Sequence, residues 1–288
     1  LDRGGWKSVK IKSLVLNDFM LFEDLDVDFS PNINVICGSN SVGKTVLLKV
    51  LYSLLASYRA TDSKMESNDK IETRFVDKLV HVFRTEDMNV GRLARRKQGT
   101  SRAECSMIFD DDSRIQLAFG SKAVNHMDLT LPPKEVKPNI NDTTVYFPPK
   151  EIISSTENFR SLYEDMHIAF EETYYDLARL LDRPLKKGRN SAEQNQVLES
   201  LGNIMNGSIV QRDNKFYLSV AGKGEFEMGL VSEGYRKLAT IVYLILNGAL
   251  NSNSVLFWDE PETNMNPKMI KPLVDAIMQL AKLGVQVF

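Results

Sequence analysis

Hydrophobic and polar positions alternate through VKIKSLVLNDF, residues 9–19, and again through LDVDF, 25–29, a period of two that predicts a two-stranded antiparallel opening. INVIC, 33–37, is short, apolar and β-branched, and is expected to be a strand running straight into the glycine-rich GSNSVGKT. Behind that loop the period lengthens, and Val46, Leu47, Val50, Leu51, Leu54 and Leu55 share one face of a helix. Strand, glycine loop and helix arrive in order.

From Leu79 to Phe119 the segments LVHVF, AECSMIF and IQLAF alternate again and predict an antiparallel sheet, with the acidic run 110–112 as a hairpin turn. PPKEVKPN, 132–139, reads as a linker and DTTVYFPP, 142–149, as a strand. Between Glu151 and Leu181 the pattern is helical, with Phe170, Tyr174, Leu177 and Leu181 on one face. SAEQNQVLESLGNIM predicts another helix, followed by short strands around SIVQR and KFYLSV. Leu238, Ile241, Val242 and Ile245 mark a further helix, Val255–Trp258 a buried strand, and VQVF a last strand.

Composition narrows the class. A chain of 288 residues with 43% hydrophobic and 26% charged residues is globular and long enough for one large domain or two modest ones. A formal net charge of -2 gives no overall basic field, so any nucleic-acid contact must come from a local patch. Cys37 and Cys105 cannot make a disulfide framework and are expected to be small buried hydrophobes, and His81, His126 and His167 show no metal-ligand spacing. Apolar runs stay below the roughly 18 residues of a membrane span, and LDRGGWKSVKIK lacks the apolar core of a signal peptide, so a cytoplasmic protein with no membrane partner is expected.

GSNSVGKT, Gly38 to Thr45, fits G-x-x-x-x-G-K-[ST], a loop whose backbone N–H groups wrap phosphate oxygens while the following helix N-terminus adds positive potential. Gly38 and Gly43 would let the backbone approach closely, and Ser39, Asn40, Ser41, Val42 and Val46 complete the candidate contact stretch. Lys44 would reach the β and γ phosphates and Thr45 would coordinate magnesium. A nucleotide is the expected ligand.

Four apolar residues, Val255 to Trp258, run into Asp259 and Glu260. Side chains alternate across a strand, so the two acids take different jobs: Asp259 in the magnesium shell, Glu260 where it can orient or deprotonate the attacking water. An edge strand finishing in a charged turn is the simpler alternative, which Pro261 and the asparagines would also suit.

VSEGYRK, Val231 to Lys237, opens the helix that precedes this strand. Ser232, Gly234 and the helix start would offer a hydroxyl, an unhindered backbone and a dipole to a γ-phosphate. Ser232 could equally be an ordinary N-cap, and the two roles are compatible because both use the same N-terminus.

Phosphate loop, Ser-Glu-Gly helix start and carboxylate strand, in that order, resemble the ABC-type ATPase heads of the SMC, RecF and OLD group of AAA family ATPases, over roughly residues 8–58 and 205–288. The resemblance implies an α/β P-loop NTPase fold, an ABC-ATPase head with an antiparallel β subdomain and a compact helical insertion. It divides the chain into an N-terminal lobe with the phosphate loop (1–60), a β subdomain (61–147), a helical insertion (148–205) and a lobe with the signature and carboxylate strand (206–288) whose core continues past the end. ATP and Mg2+ are the implied cofactors and ATP hydrolysis the implied activity. Two heads would pair head to tail, each ATP completed by the other chain's Ser232 and Gly234.

Other features follow from the resemblance alone. KQGTSRAECSMIFDD is similar to the Q-loop and the strand after it, which makes Gln98 the residue sensing magnesium and the γ-phosphate. PETNMNP, Pro261 to Pro267, is similar to the D-loop region, with Asn266 where an aspartate is common, and the family's switch histidine is expected beyond Phe288. The long arm of chromosome-tethering relatives is replaced by a compact insertion. The resemblance implies a bacterial or phage-related setting, often an anti-phage system, with a nuclease or toxin as effector partner, or alternatively an ATP-loaded scaffold or a RecF-like repair clamp. For the clamp, DNA or RNA would meet the basic run RLARRKQGTSR, with Arg92, Arg95, Arg96, Lys97 and Arg102, although such a run also suits a solvated loop.

Overall fold

The alternating opening forms two antiparallel strands, β1 (Ile11–Phe19) and β2 (Phe22–Asp28). In this computed structural model, which describes residues 9–61, 66–133, 142–166 and 168–288, Ile11, Leu14, Leu16 and Phe19 are buried, whereas β2 turns Glu23, Asp24, Asp26 and Asp28 to solvent. The chain divides into two compact units, Leu1–Thr144 with Phe288, and Val145–Val287.

The first unit adds α1 (Lys44–Arg59), α2 (Asn68–Phe83), β3 (Arg102–Phe109), β4 (Arg114–Gly120) and β5 (Asp128–Thr130). Its five strands form an antiparallel sheet in the order β2-β1-β3-β4-β5, with Leu16 opposite Cys105 and Met107 opposite Ile115. Both helices pack on this sheet through their rings: Tyr58 stacks on Phe109 at 5.5 Å, and Phe19 meets Phe83 edge-on at 6.1 Å. In α1, Val50, Leu51, Leu54 and Leu55 are fully buried. Truncating any one of them to alanine would cost about 2–5 kcal/mol.

Three expectations fail in this unit. LVHVF is the last turn and a half of α2, because its apolar residues continue the helical series Ile71, Phe75, Leu79 and Val82; five residues are too few to separate a period of two from one of 3.6. INVIC forms no regular strand: Ile33 makes an isolated bridge, Val35 is 81% exposed and Cys37 is exposed too, so only Cys105 is a buried thiol. An apolar, β-branched segment becomes a strand only when a ladder takes its N–H and C=O groups in register, and residues 34–37 lie in no regular strand. Residues 134–139 of the expected linker, and His167, lie outside the described residues.

The second unit opens with β6 (Thr144–Phe147) and continues through α3 (Phe159–Met166), α4 (Glu172–Leu181), α5 (Ala192–Met205), β7 (Ser208–Arg212), β8 (Lys215–Val220) and β9 (Gly224–Glu227). It ends with α6 (Glu233–Leu246), β10 (Val255–Trp258), α7 (Ile270–Lys282) and β11 (Gln286–Val287). β7, β8 and β9 form an antiparallel sheet, while the other sheet has the order β11-β10-β6 with β10 and β11 parallel. Helix α7 makes the crossover that a parallel pair requires.

One core cluster fills this unit, with Leu177, Leu201, Leu238, Ile241, Leu256 and Leu280 among its members. Helix α5 starts where its sequence says it should. Ser191 accepts from the Gln194 amide at 3.2 Å, and the Gln194 side chain accepts from the Ser191 amide at 3.1 Å, a reciprocal cap that satisfies two otherwise orphaned donors. Phe170 falls outside α4 instead of on its face, but its ring still meets Tyr174 edge-on at 5.4 Å.

Candidate functional site

In the first unit, residues Gly38 to Val42 are exposed and α1 begins at Lys44, so the loop presents its backbone at the helix N-terminus, and Thr45 and Val46 lie half-buried in the first turn. Gly43 caps the helix at φ 98°, ψ 15°, and a Cβ there would come within 2.7 Å of the Phe22 ring and 3.0 Å of Leu21. Only glycine accepts both that backbone and that neighbour. Lys44 Nζ donates to the Gly38 carbonyl at 2.9 Å and to the Ser39 carbonyl at 2.8 Å. Its ammonium therefore lies across the loop that would hold phosphate.

In the second unit, β10 is flanked by β6 and β11, so the strand that carries the acids is central, which removes the edge-strand alternative. The two acids separate as alternation requires: Asp259 is 3% exposed and Glu260 is exposed. Asp259 N donates to the Phe147 carbonyl at 2.9 Å, and its Oδ2 accepts from the Tyr146 hydroxyl at 3.2 Å. Burial, and then the charge of Asp259, push the Tyr146 hydroxyl well above its ordinary range, so it stays a donor.

Glu260 sits at φ 47°, a left-handed conformation that costs a side chain such as glutamate on the order of 1 kcal/mol or more. Its Oε2 accepts from Thr263 Oγ1 at 3.0 Å. The turn that follows ends in a short 3-10 helix over Pro267–Met269, which Asn266 caps by accepting from Lys268 N at 3.0 Å.

Helix α6 begins one residue after Ser232, which has N-cap geometry, but the serine hydroxyl makes no capping bond. It stands exposed at a helix start, where the first N–H groups lack intrahelical acceptors, an arrangement suited to an anion. Gly234 is buried, with Met269 so close that a Cβ would meet it at 3.3 Å. Deeper in the helix, Lys237 Nζ donates to the carbonyls of Pro261 and Thr263 at 3.1 and 2.7 Å, and burial lowers its pKa. Arg236 pairs with Glu151 at 2.8 Å, and a cavity of about 410 Å³ opens beside them.

Gln98 lies in an exposed loop of the first unit before β3, and neither carboxylate of β10 belongs to that unit. The basic run around it is largely neutralised. Arg95 pairs with Glu23 at 2.6 Å and with Asp18 at 3.9 Å, Lys97 with Asp18, Arg92 with Glu86, and Arg102 with Asp128.

Sequence reasoning did not single out Tyr146, Lys237 or Thr263 as contacts of the Asp259–Glu260 segment. The polar Tyr146 inside VYF, a run destined for burial, was the available signal for the first, and a lysine on the inner face of an otherwise apolar helix was the signal for the second.

The donor chemistry fits a magnesium nucleotide. Thr45, in the first unit, offers a hydroxyl and Asp259, in the second, a carboxylate, both hard oxygen donors of the kind Mg2+ takes.

A family model described as "AAA domain, putative AbiEii toxin, Type IV TA system" matches residues 33–288. The DNA replication and repair protein RecF of Listeria welshimeri is 41% identical over 56 residues, which span 19% of this chain and only 15% of that protein's length. The protein of the same name from Staphylococcus haemolyticus is 24% identical over 276 residues, 90% of this chain and 67% of its own. Among solved structures, the SmcHead bound to the C-winged helix domain of ScpA matches with a TM-score of 0.54 at 14% identity, covering 96% of this chain and 88% of that one. The shared fold is that of an ABC-ATPase head with an antiparallel sheet.

Proposed function

The chain belongs to the AAA-domain family whose model spans residues 33–288 and is an ATPase head of the SMC and RecF group, and on that premise we propose that it is an ATP-driven switch whose heads pair when ATP binds. The observation that carries this reading is the division at the end of β10 between a buried Asp259 and an exposed Glu260 held in a left-handed turn. That division supports a reading in which one acid meets an ion and the other meets water.

In this reading Lys44 leaves its loop carbonyls to neutralise β and γ phosphate charge, and the backbone from Gly38 to Val46 wraps the phosphates. Thr45 and Asp259 would hold Mg2+, which when bound would offset charge on the phosphate oxygens. Glu260 orients the attacking water and accepts its proton. Ser232 and Gly234 at the open start of α6 serve the γ-phosphate of a second copy, so hydrolysis loosens the pair. Gln98 would sense magnesium and the γ-phosphate.

The partner controlled by the switch is proposed to be an effector protein, a nuclease or toxin, in a bacterial anti-phage setting. A repair clamp is the second reading, favoured by the similarity to RecF over most of the chain. The ion pairs around Arg95 and Lys97 weigh against that basic run as its DNA contact.

The test is the solution mass of the Glu260→Gln protein with and without Mg-ATP. Doubling with ATP, abolished by adding Ser232→Arg, is the expected result. ATP-bound protein of unchanged mass, with or without Ser232→Arg, would overturn the pairing.

A further inference from the structure

Two strands of the second unit meet at their C-terminal ends, and three contacts from β6 fix the last residues of β10. The Phe147 carbonyl takes the Asp259 amide at 2.9 Å, which extends the ladder one residue past the strand. The Phe147 ring packs edge-on to Trp258 at 5.1 Å. The Tyr146 hydroxyl donates to Asp259 Oδ2 at 3.2 Å. Backbone, neighbouring ring and carboxylate are each tied to the same two residues.

Of these contacts the third bears on chemistry. Tyr146 is 2% exposed and Asp259 3%, so water has little access to the carboxylate, and a fixed hydroxyl replaces part of its lost hydration. A carboxylate anchored through one oxygen cannot rotate freely, and its other oxygen keeps a fixed direction. Phenylalanine would fill the same strand position with almost the same volume, so packing alone does not account for the hydroxyl.

We propose that Tyr146 is a positioning residue for Asp259: its hydroxyl holds the carboxylate in the orientation that binds Mg2+ with the nucleotide. The proposal rests on the reading of Asp259 as a magnesium residue. Partners of this kind, which touch a ligand's carboxylate and not the ion, commonly change metal affinity or activity 10–100-fold when removed.

The experiment measures binding of a fluorescent ATP analogue to Tyr146→Phe, first in EDTA and then along a Mg2+ titration, with Phe147→Leu as a control for strand packing and Asp259→Asn alongside. Tyr146→Phe should bind in EDTA like the unaltered protein, yet need about tenfold more Mg2+ for the half-maximal response. Phe147→Leu should keep the normal Mg2+ requirement. If Asp259→Asn shifts the requirement and Tyr146→Phe does not, the role of Tyr146 is overturned while that of Asp259 stands. If neither shifts it, the reading of Asp259 falls and the proposal falls with it. An equal shift in Phe147→Leu would assign the effect to strand packing and overturn the proposal as well.

Discussion

Lys237 Nζ donates to the Thr263 carbonyl at 2.7 Å and to the Pro261 carbonyl at 3.1 Å, so the helix that starts after Ser232 grips the turn that carries Glu260. Thr263 in turn donates through its hydroxyl to Glu260, and Asn264 reaches Glu233 at 3.5 Å. A ligand that moved the start of α6 would therefore move the catalytic candidate through one buried ammonium.

Replacing Lys237 with methionine keeps most of the side-chain volume but removes both donors, leaving the carbonyls of two half-buried residues short of a partner at up to about 1–3 kcal/mol each. The turn should loosen before the fold does. Expected in Lys237→Met is a fall in kcat of at least about tenfold, which corresponds to roughly 1.4 kcal/mol at the transition state, with ATP affinity within about twofold of normal. Steady-state turnover and equilibrium nucleotide binding check this, and equal losses in both would point to general unfolding of the unit.

The phosphate loop makes a second prediction at Gly43. A methyl group there meets the far end of the Phe22 ring, which can move, but the backbone stays at φ 98°, which it cannot leave without rebuilding the start of α1. Gly43→Ala should destabilise the first unit by roughly 2 kcal/mol and abolish nucleotide binding. Adding Phe22→Ala should not restore binding. Recovery in the double variant, read by denaturant titration and fluorescent nucleotide, would show that steric contact and not backbone strain sets the requirement.

Tyr58 gives a pH prediction. Burial raises its pKa from 10.0 to about 12, so in the unfolded chain it ionises first. A raised pKa in the folded state means that the contribution is complete below pH 10 and is lost as pH rises from 10 through 12. Tyr58→Phe should retain its denaturation midpoint better than the unaltered chain across that window. Both chains keep Cys105, whose buried thiol is also raised, so its contribution cancels in the comparison.

What the sequence made legible follows from how local each feature is. The loop from Gly38 to Thr45 and the pair Asp259–Glu260 are contiguous, so their chemistry can be read from spacing. Tyr146 lies 113 residues from Asp259 and meets it only because β6 and β10 are neighbours in one sheet, a long-range relation that no window of residues contains. Lys237 was visible only as a signature position, since its acceptors are carbonyls of a turn 24 and 26 residues away. INVIC failed in the other direction: its composition suits a strand, but strand structure also needs a neighbouring ladder.

The run RLARRKQGTSR offered the same positive charge to either a phosphate backbone or a carboxylate, and the folded chain supplies the carboxylates. Arg95 faces Glu23 and Asp18, and Lys97 faces Asp18, across the hairpin of β1 and β2. A phosphate would have to displace these partners and would meet the acidic outer edge of β2 beside them. Replacing both residues with alanine should therefore leave duplex DNA affinity within about threefold and the salt dependence unchanged, as measured by fluorescence anisotropy across ionic strength. For every phosphate that the protein ceases to neutralise, the slope of log affinity against log salt shrinks by about 0.9. A fall of roughly two in that slope would mean that both side chains leave their carboxylates for DNA, and would move this surface from a neutralised belt to a nucleic-acid contact.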